Sequence, residues 1–339
     1  MNIEATMKIS RNARIQRTLS KVYMAAFLNE ITAPRTLNHT KTRVTLRDGN
    51  MYEHDIANAT SKYVGQGKLS HLEPSHGYTY SSSEGWTLAS SPSPSTEEGG
   101  DGEITLMSYN VWFAEEKKEE RTHVLLGHIE THSPELVALQ EMTPDAWEIV
   151  LASEYVRSTY VVSDGNGLAL TPYGVVWMVS KTVMGDVRFE YLPLPSNMGR
   201  RACILHPPAS SQWGGMGTAH LESMDNHDLR MEQAEIIRSH LVEMAKDKPV
   251  LFVGDTNVRA SHAPRNAHLC DTLQPLQDAY DAVDDPEYTS TMVGEPSMRI
   301  DRLFASPTVH ISSLSLLYSP PSTLEASDHH GLLSHLHLS

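Results

Sequence analysis

Several apolar runs of this chain stop on residues that can do phosphate chemistry. In Val250-Leu251-Phe252-Val253-Gly254-Asp255-Thr256-Asn257, a run that reads as a buried strand ends on a carboxylate and, two residues later, a carboxamide. An acid beside an amide can orient and deprotonate a water while hydrogen-bonding a phosphate oxygen. The simpler account of the same tetrapeptide is an Asx turn. Gln140-Glu141 closes Leu136-Val137-Ala138-Leu139. A strand-end carboxylate suits Mg²⁺, which takes hard oxygen ligands at about 2.0–2.1 Å; on its own such a residue is more often an exposed acid. Asn110 ends Ile104–Tyr109. In an apolar run its amide has to be hydrogen-bonded, either orienting Glu141 or a phosphate, or as a satisfied core group.

Two histidines extend the set. His329 stands in Ser327-Asp328-His329-His330-Gly331, before the last apolar run. Beside an acid it is a candidate phosphate ligand or acid/base. With 18 His in the chain only its neighbours give it weight. Asp301, in Arg299-Ile300-Asp301-Arg302, is a suitable partner to fix its tautomer and keep it charged. His220 ends Gly215–Ala219 in the same manner, and its charge could stabilise a pentavalent transition state. Each signal is weak alone; five in this order, each at a strand end, form a specific pattern.

The elements that must position these residues alternate. Strands are expected at ITLMSYNVWF, ELVALQEM, GVVWMVS, RACILHP, GMGTAHLES, VLFVGDTN, IDRLFAS and GLLSHLHLS. Helices are expected around 117–132, over LRMEQAEIIRSHLVEMAK, and over DTLQPLQDAYDAV. Such α/β layers place a site at strand ends, where the sheet is rigid and the loops are free to carry chemistry.

The 339 residues suffice for one large α/β domain and a smaller appendage. Residues 1–50 carry nine Lys/Arg and three Asp/Glu, whereas residues 101–339 carry sixteen and thirty-three. An acidic catalytic region argues against a broad electrostatic grip on long duplex nucleic acid and fits a chain end or a small phosphoester. Residues 1–80 read as a basic tail with Arg11, Arg14 and Arg17 at helical spacing, followed by a small β-rich module over 42–80 with a turn at Asp48-Gly49-Asn50. Residues 81–102, rich in Ser, Pro, Gly and Glu, read as a linker, leaving 103–339 as the catalytic domain. No apolar run is long enough to span a membrane. No secretory signal is visible, and two cysteines make no disulfide framework, so an intracellular setting is expected.

Taken in order, SYNVW, LQEM, TAHLES, GDTN, IDRLF and SDHHGLL resemble the endonuclease/exonuclease/phosphatase superfamily over about residues 103–339. Within it, HLES, GDTNVR, SDHxGLL and Pro195–Arg200 are similar to the type 2 tyrosyl-DNA phosphodiesterases. The resemblance implies a DNase I-like four-layer α/β sandwich, two packed mixed β-sheets flanked by helices. It implies a Mg²⁺-dependent phosphodiesterase, with Mn²⁺ as a substitute, that frees DNA ends from a trapped topoisomerase by cleaving a 5′-phosphotyrosyl bond. Glu141 and Asp328 would serve the metal, with Asn110 supporting Glu141. Asp255 would activate or orient water, Asn257 would hold the phosphate, and His329, oriented by Asp301, would stabilise the transition state. His220 would be a second phosphate ligand, and Arg259 and Arg200 would contact the nucleic acid. A monomer acting on single-stranded DNA ends in the nucleus is expected, while the basic N-terminus leaves the mitochondrion and the cytoplasm open. Two departures bear on the substrate: His330 stands where the family often has an aromatic, and Tyr288-Thr289-Ser290 stands where Tyr-Thr-Trp is expected. The alternatives are the same chemistry on RNA 3′ tails, abasic DNA, inositol phosphates or sphingomyelin, and a catalytically silent binding scaffold.

Overall fold

The computed structural model describes residues 35–38, 41–45, 50–55 and 60–66 as backbone strands, together with 74–89, 103–170, 172–184, 186–280, 290–295, 297–319 and 323–338. The basic segment 1–30, the Asp48-Gly49 pair, residues 90–102 and Tyr288-Thr289 lie outside the described residues. Arg35–Asn38, Lys41–Thr45, Asn50–Asp55 and Thr60–Gln66 pair antiparallel in that order. This small sheet belongs to a compact unit of its own.

The second unit holds two mixed sheets. One has the spatial order Val309–Leu317, Gly331–Leu338, Ile104–Asn110, Leu136–Met142, Gly174–Ser180, Tyr160–Val162, Tyr78–Ser81, Gly85–Leu88. The other runs Gln277–Asp278, Asp301–Ala305, Val250–Asp255, Gly215–His220, Arg201–His206, Arg188–Pro193, Ser75–His76. Among the described residues each sheet contains one parallel pair: Ile104–Asn110 with Leu136–Met142, and Gly215–His220 with Val250–Asp255. A parallel pair needs a crossover, and the helices Lys118–His132 and His227–Ala245 supply them.

The strands are two-sided because side chains alternate along them. Leu106, Ala138, Trp177 and Val179 of the first sheet meet Phe189, Leu205, Met216, Leu251, Val253 and Leu303 of the second. The Trp177 indole N–H donates to the Cys203 carbonyl at 2.9 Å across this interface. The opposite faces are covered by helices. Met107, Val137, Leu139 and Met178 pack with Leu125, Ile129, Trp147 and Val150, whereas Ile204, Ala219, Phe252 and Phe304 pack with Ile237, Leu241, Leu269 and Leu273. Helix, sheet, sheet and helix make the four layers.

Two boundaries differ from the sequence reading. Residues 81–88 are not linker: Tyr78–Ser81 and Gly85–Leu88 form a hairpin that joins the first sheet through Tyr78 opposite Val162. Aromatic residues hold it despite its polar surroundings. The Trp86 indole N–H donates to Leu151 O at 3.1 Å, Tyr80 meets Trp86 edge to face, and Arg157 lies over the Tyr80 ring. The third helix is displaced too. It spans Ala263–Leu273, with Pro264 in its first turn, and stops before Pro275, which lacks the N–H and crowds the preceding turn.

The register around Gly254 is tight. Its φ is 149°, and a Cβ there would stand 2.1 Å from the Ala219 carbonyl oxygen on the neighbouring strand. Only a residue without a side chain lets Val250–Asp255 lie this close and still aim Asp255. Gly254→Ala is expected to lower unfolding free energy by about 2–4 kcal/mol, read from urea denaturation. A variant as stable as the parent would contradict this packing.

Candidate active site

The site grows out of the inter-sheet face. Leu251 and Val253 pack between the sheets, and two residues on the same face carries Asp255. Leu106 leads by the same period to Asn110, Met216 to His220, and Leu303 back to Asp301. The strands thus turn from apolar to polar on one side at one end. Both parallel pairs contribute: Asn110 lies opposite Gln140 and His220 opposite Asp255, while the antiparallel neighbour sets Asp301 opposite Asp255. Asn110, His220, Asp255, Asp301 and His329 are all buried.

Asp255 sits at the centre. Its Oδ2 accepts the Asn110 amide at 3.0 Å from the other sheet, and its Oδ1 accepts the Asn257 backbone N–H at 2.8 Å. The second contact is the Asx turn. Asn110 therefore supports Asp255 rather than Glu141, because its sheet faces the opposite strand end across the interface. The Asn110 Oδ1 in turn accepts the Trp112 N–H. Glu141 is held instead by the Phe113 backbone N–H, 3.0 Å from Oε2. Asn257 donates its side-chain amide to Leu221 O at 3.1 Å, so that group ties the loop after His220 to Asp255.

Glu141, Asn257 and Trp112 have positive φ values of 56°, 51° and 56°. Left-handed backbone is costly for residues with a Cβ. At Glu141 it has a direct consequence: Val137 and Leu139 face the helices, strict alternation would send Glu141 the same way, and the left-handed turn brings its carboxylate within 3.4 Å of His220 instead.

The histidines separate in charge. His329 Nδ1 is 2.7 Å from Asp301 Oδ2. Burial alone would depress its pKa. The Asp301 carboxylate, by charge and hydrogen bond, with Asp255 and Asp328 beyond it, overrides burial and lifts the pKa to about 10. His220 goes the other way. Burial first, and then the adjacent Arg200 guanidinium, bring it down to about 3. The positive charge expected on His220 therefore resides on Arg200, whose Nη1 and Nη2 lie 3.0 and 3.2 Å from the two ring nitrogens. Neutral His220 still stands 3.4 Å from both Glu141 Oε1 and Asp255 Oδ2, and its single N–H can donate to one of them.

The remaining expected residues lie further out. Asp328 Oδ1 is 3.9 Å from His329 Nε2 and more than a third of its side chain is exposed. Arg259 is exposed on the loop after Val258. Several residues that shape the site escaped the sequence reading. Buried Arg121 donates to the carbonyls of Val111, Trp112, Ala114 and Ala326, fixing the loop that presents Phe113 to Glu141. Glu222 Oε2 accepts from Ser196 Oγ and from Gln233, and Ser196 Oγ accepts the Arg200 N–H, so a helix residue positions Arg200 through two intermediaries. Phe113 and Tyr173 stack at 4.8 Å, with Arg200 over the Tyr173 ring. An arginine in an amphipathic helix pattern was the available signal for Arg121; the others have none in linear spacing.

The donor set fits a hard divalent cation near Glu141. Oxygen donors dominate, and burial, with Asp255 adding repulsion, raises the Glu141 carboxyl pKa. A dication is the charge that would relieve both effects. Asp255, Asp301 and His329 also converge. A ring held protonated by Asp301 offers no lone pair, however, so that trio is a charge network.

Comparison with known proteins agrees with this geometry. The model of the Endonuclease/Exonuclease/phosphatase family matches residues 107–329. Tyrosyl-DNA phosphodiesterase 2 of Homo sapiens is 25% identical over 264 residues, covering 73% of this chain and 71% of that protein. The Xenopus tropicalis protein of the same name is 24% identical, covering 72% and 68%. The structure of D. rerio TDP2 complexed with single strand DNA product has a TM-score of 0.57 at 22% identity, over 69% of this chain and 99% of that one. That of C. elegans TDP2 has a TM-score of 0.59 at 21% identity, over 71% and 77%. Fold, strand-end polar cluster and family match together make this chain a member of the endonuclease/exonuclease/phosphatase family and a metal-dependent phosphodiester hydrolase.

Proposed function

We propose that the chain hydrolyses 5′-phosphotyrosyl bonds at single-stranded DNA ends, with Mg²⁺ as its metal and Mn²⁺ as a substitute. The observation that carries the chemistry is Asp255, clamped between Asn110 and Asn257 with imidazolium His329 and guanidinium Arg200 on the same site. Support for the substrate comes from the curated relatives, each named tyrosyl-DNA phosphodiesterase 2.

Glu141 would hold the metal, with Asp328 as the expected second carboxylate; a bound dication would supply Lewis-acid charge to a phosphate oxygen. Asp255 retains lone pairs beyond its two hydrogen bonds and orients a water for in-line attack. His329, kept cationic by Asp301, offers Nε2–H to the phosphorane oxygens, and Arg200 adds a second positive donor. Neutral His220 contributes an N–H without competing for charge. The leaving tyrosine is a phenolate of pKa about 10, so strong general-acid help is unnecessary. The stacked Phe113 and Tyr173 offer a flat apolar surface for a base or a phenol. Arg259, exposed on its loop, would meet the DNA backbone. A monomeric protein serving DNA repair in the nucleus fits this reading. No helix among the described residues is long and apolar enough to cross a membrane. Ser290 in place of the expected Trp and the acidic catalytic region favour, as second reading, another phosphoester such as an RNA 3′ tail or abasic DNA.

A single-stranded oligonucleotide with a 5′-phosphotyrosine, incubated with Mg²⁺ or EDTA, tests the assignment. Release of a 5′-phosphate end that requires Mg²⁺ and disappears in Glu141→Ala is expected. No release by folded protein that still cleaves another phosphodiester would move the substrate. Asp255→Asn should reduce kcat by about 10²–10⁴-fold without unfolding the protein.

Asp301→Asn should act through His329. Without that carboxylate, burial is opposed only by the more distant Asp255 and Asp328 charges, and the imidazole loses its proton at a lower pH. The activity loss is therefore expected to grow as pH rises from about 6 to 9, because the parent His329 stays charged until about 10. A loss independent of pH would mean that Asp301 only shapes the site.

A further inference from the structure

At the opposite end of the second sheet a different group of ligands converges. Glu190 lies on the strand Arg188–Pro193, His206 ends the strand Arg201–His206, and His240 belongs to the helix His227–Ala245. His206 Nε2 is 2.9 Å and His240 Nε2 3.0 Å from the same oxygen, Glu190 Oε2. Arg200 precedes the strand that His206 closes, so about six residues at roughly 3.3 Å each, or about 20 Å, separate this group from the active site. No step of the hydrolysis uses these residues.

We propose that Glu190, His206 and His240 form a second metal site, a two-histidine, one-carboxylate clasp for a divalent transition metal of the Zn²⁺ type. Donor chemistry, distance and rigidity all point there. Imidazole nitrogen and carboxylate oxygen are the ligands Zn²⁺ takes at about 2.0–2.2 Å. Two such atoms on one ion at angles of 90–110° stand roughly 3.0–3.4 Å apart, close to the spacings seen. The three donor atoms all lie within 4.8 Å of one another. They come from three elements locked by Leu192, Ile204, Ile237 and Leu241 in the helix-side core, so little ordering remains to be done on binding. The Glu190 side chain is 4% exposed, whereas those of His206 and His240 are 14% and 23% exposed, leaving an open side from which an ion and a completing water can enter. Burial alone would raise the Glu190 pKa; the two imidazole hydrogen bonds instead hold it at about 2, so the anion is present at any working pH.

Binding requires each ring to turn an Nε2 lone pair inward. A neutral ring does so by carrying its proton on Nδ1, and a protonated ring by releasing one proton to solvent. The clasp would tie the later turns of the helix to the sheet. The same helix carries Arg230 and Gln233, which hold the Glu222 backbone and side chain and, through Ser196, the Arg200 segment. The role is therefore structural: the ion would stiffen the frame that positions Arg200.

Metal-stripped protein, resaturated with Mg²⁺, is titrated with Zn²⁺ by calorimetry and by thermal denaturation. One Zn²⁺ per chain is expected at this site, raising Tm. The Glu141→Ala protein, in which active-site binding is removed, should retain it. His206→Gln and His240→Gln, each removing a ligand, should weaken it by more than the roughly 10–100-fold that loss of an outer-shell partner costs, while leaving Mg²⁺-dependent hydrolysis in place. Zn²⁺ binding that is absent from Glu141→Ala, or unaffected by both histidine variants, overturns the proposal. Should those variants fold poorly, diethyl pyrocarbonate mapping of the unaltered chain decides: Zn²⁺ has to protect His206 and His240, and unchanged labelling of both rejects the site.

Discussion

A carboxylate buried between two sheets is stable only if its charge and lone pairs are answered, and the arrangement around Asp255 follows from that constraint. At 2% exposure it has almost no water. The Asn110 amide reaches it from one sheet and the Asn257 N–H from its own loop. The hydrogen bond from Asn110 crosses the layer interface, so the catalytic geometry depends on how the sheets are stacked. Trp177 to Cys203 and Gln140 to Thr218 cross the same interface and fix its registry. The chemistry is therefore only as well aligned as the inter-sheet core beneath it.

Around that centre, charges are distributed by neighbours rather than by residue type. Two buried histidines on the same site end in opposite states: His329 faces Asp301 and stays cationic, while His220 faces Arg200 and stays neutral. One cation on each side of the carboxylates favours a phosphate in the middle. At Glu141 burial and the Asp255 charge outweigh the Phe113 N–H and the pull of His329 and Arg200, which suits it to anchor a metal. The left-handed backbone at Trp112, Glu141 and Asn257 belongs to the same design. It costs local stability and is held by the Arg121 carbonyl knot and the Asx turn.

The helix His227–Ala245 joins both halves of this picture. Its first turns hold Glu222 and the Arg200 segment, and its later turns reach Glu190 through His240. An element that is legible as an ordinary amphipathic helix thus works as a beam between two polar clusters at opposite ends of one sheet.

The order of strands and helices, and the polar residues that end the strands, were set by local pattern. Short apolar runs stopping on Asn110, Glu141, His220 and Asp255 are readable one at a time, because run length and the polar residue that ends it are properties of neighbouring residues. The hairpin at 78–88 was not, since its anchors Leu151, Arg157 and Val162 are some 65 to 85 positions away. Nor was the choice of partner. That Asn110 serves Asp255 and not Glu141, that Arg200 takes the charge expected of His220, and that Glu190 meets two histidines all depend on contacts 16 to 145 positions apart. The sequence alone determined which side chains stand at strand ends. Only the packed structure decided which of them are charged and whom they bind, because burial and facing charges act through space and not along the chain.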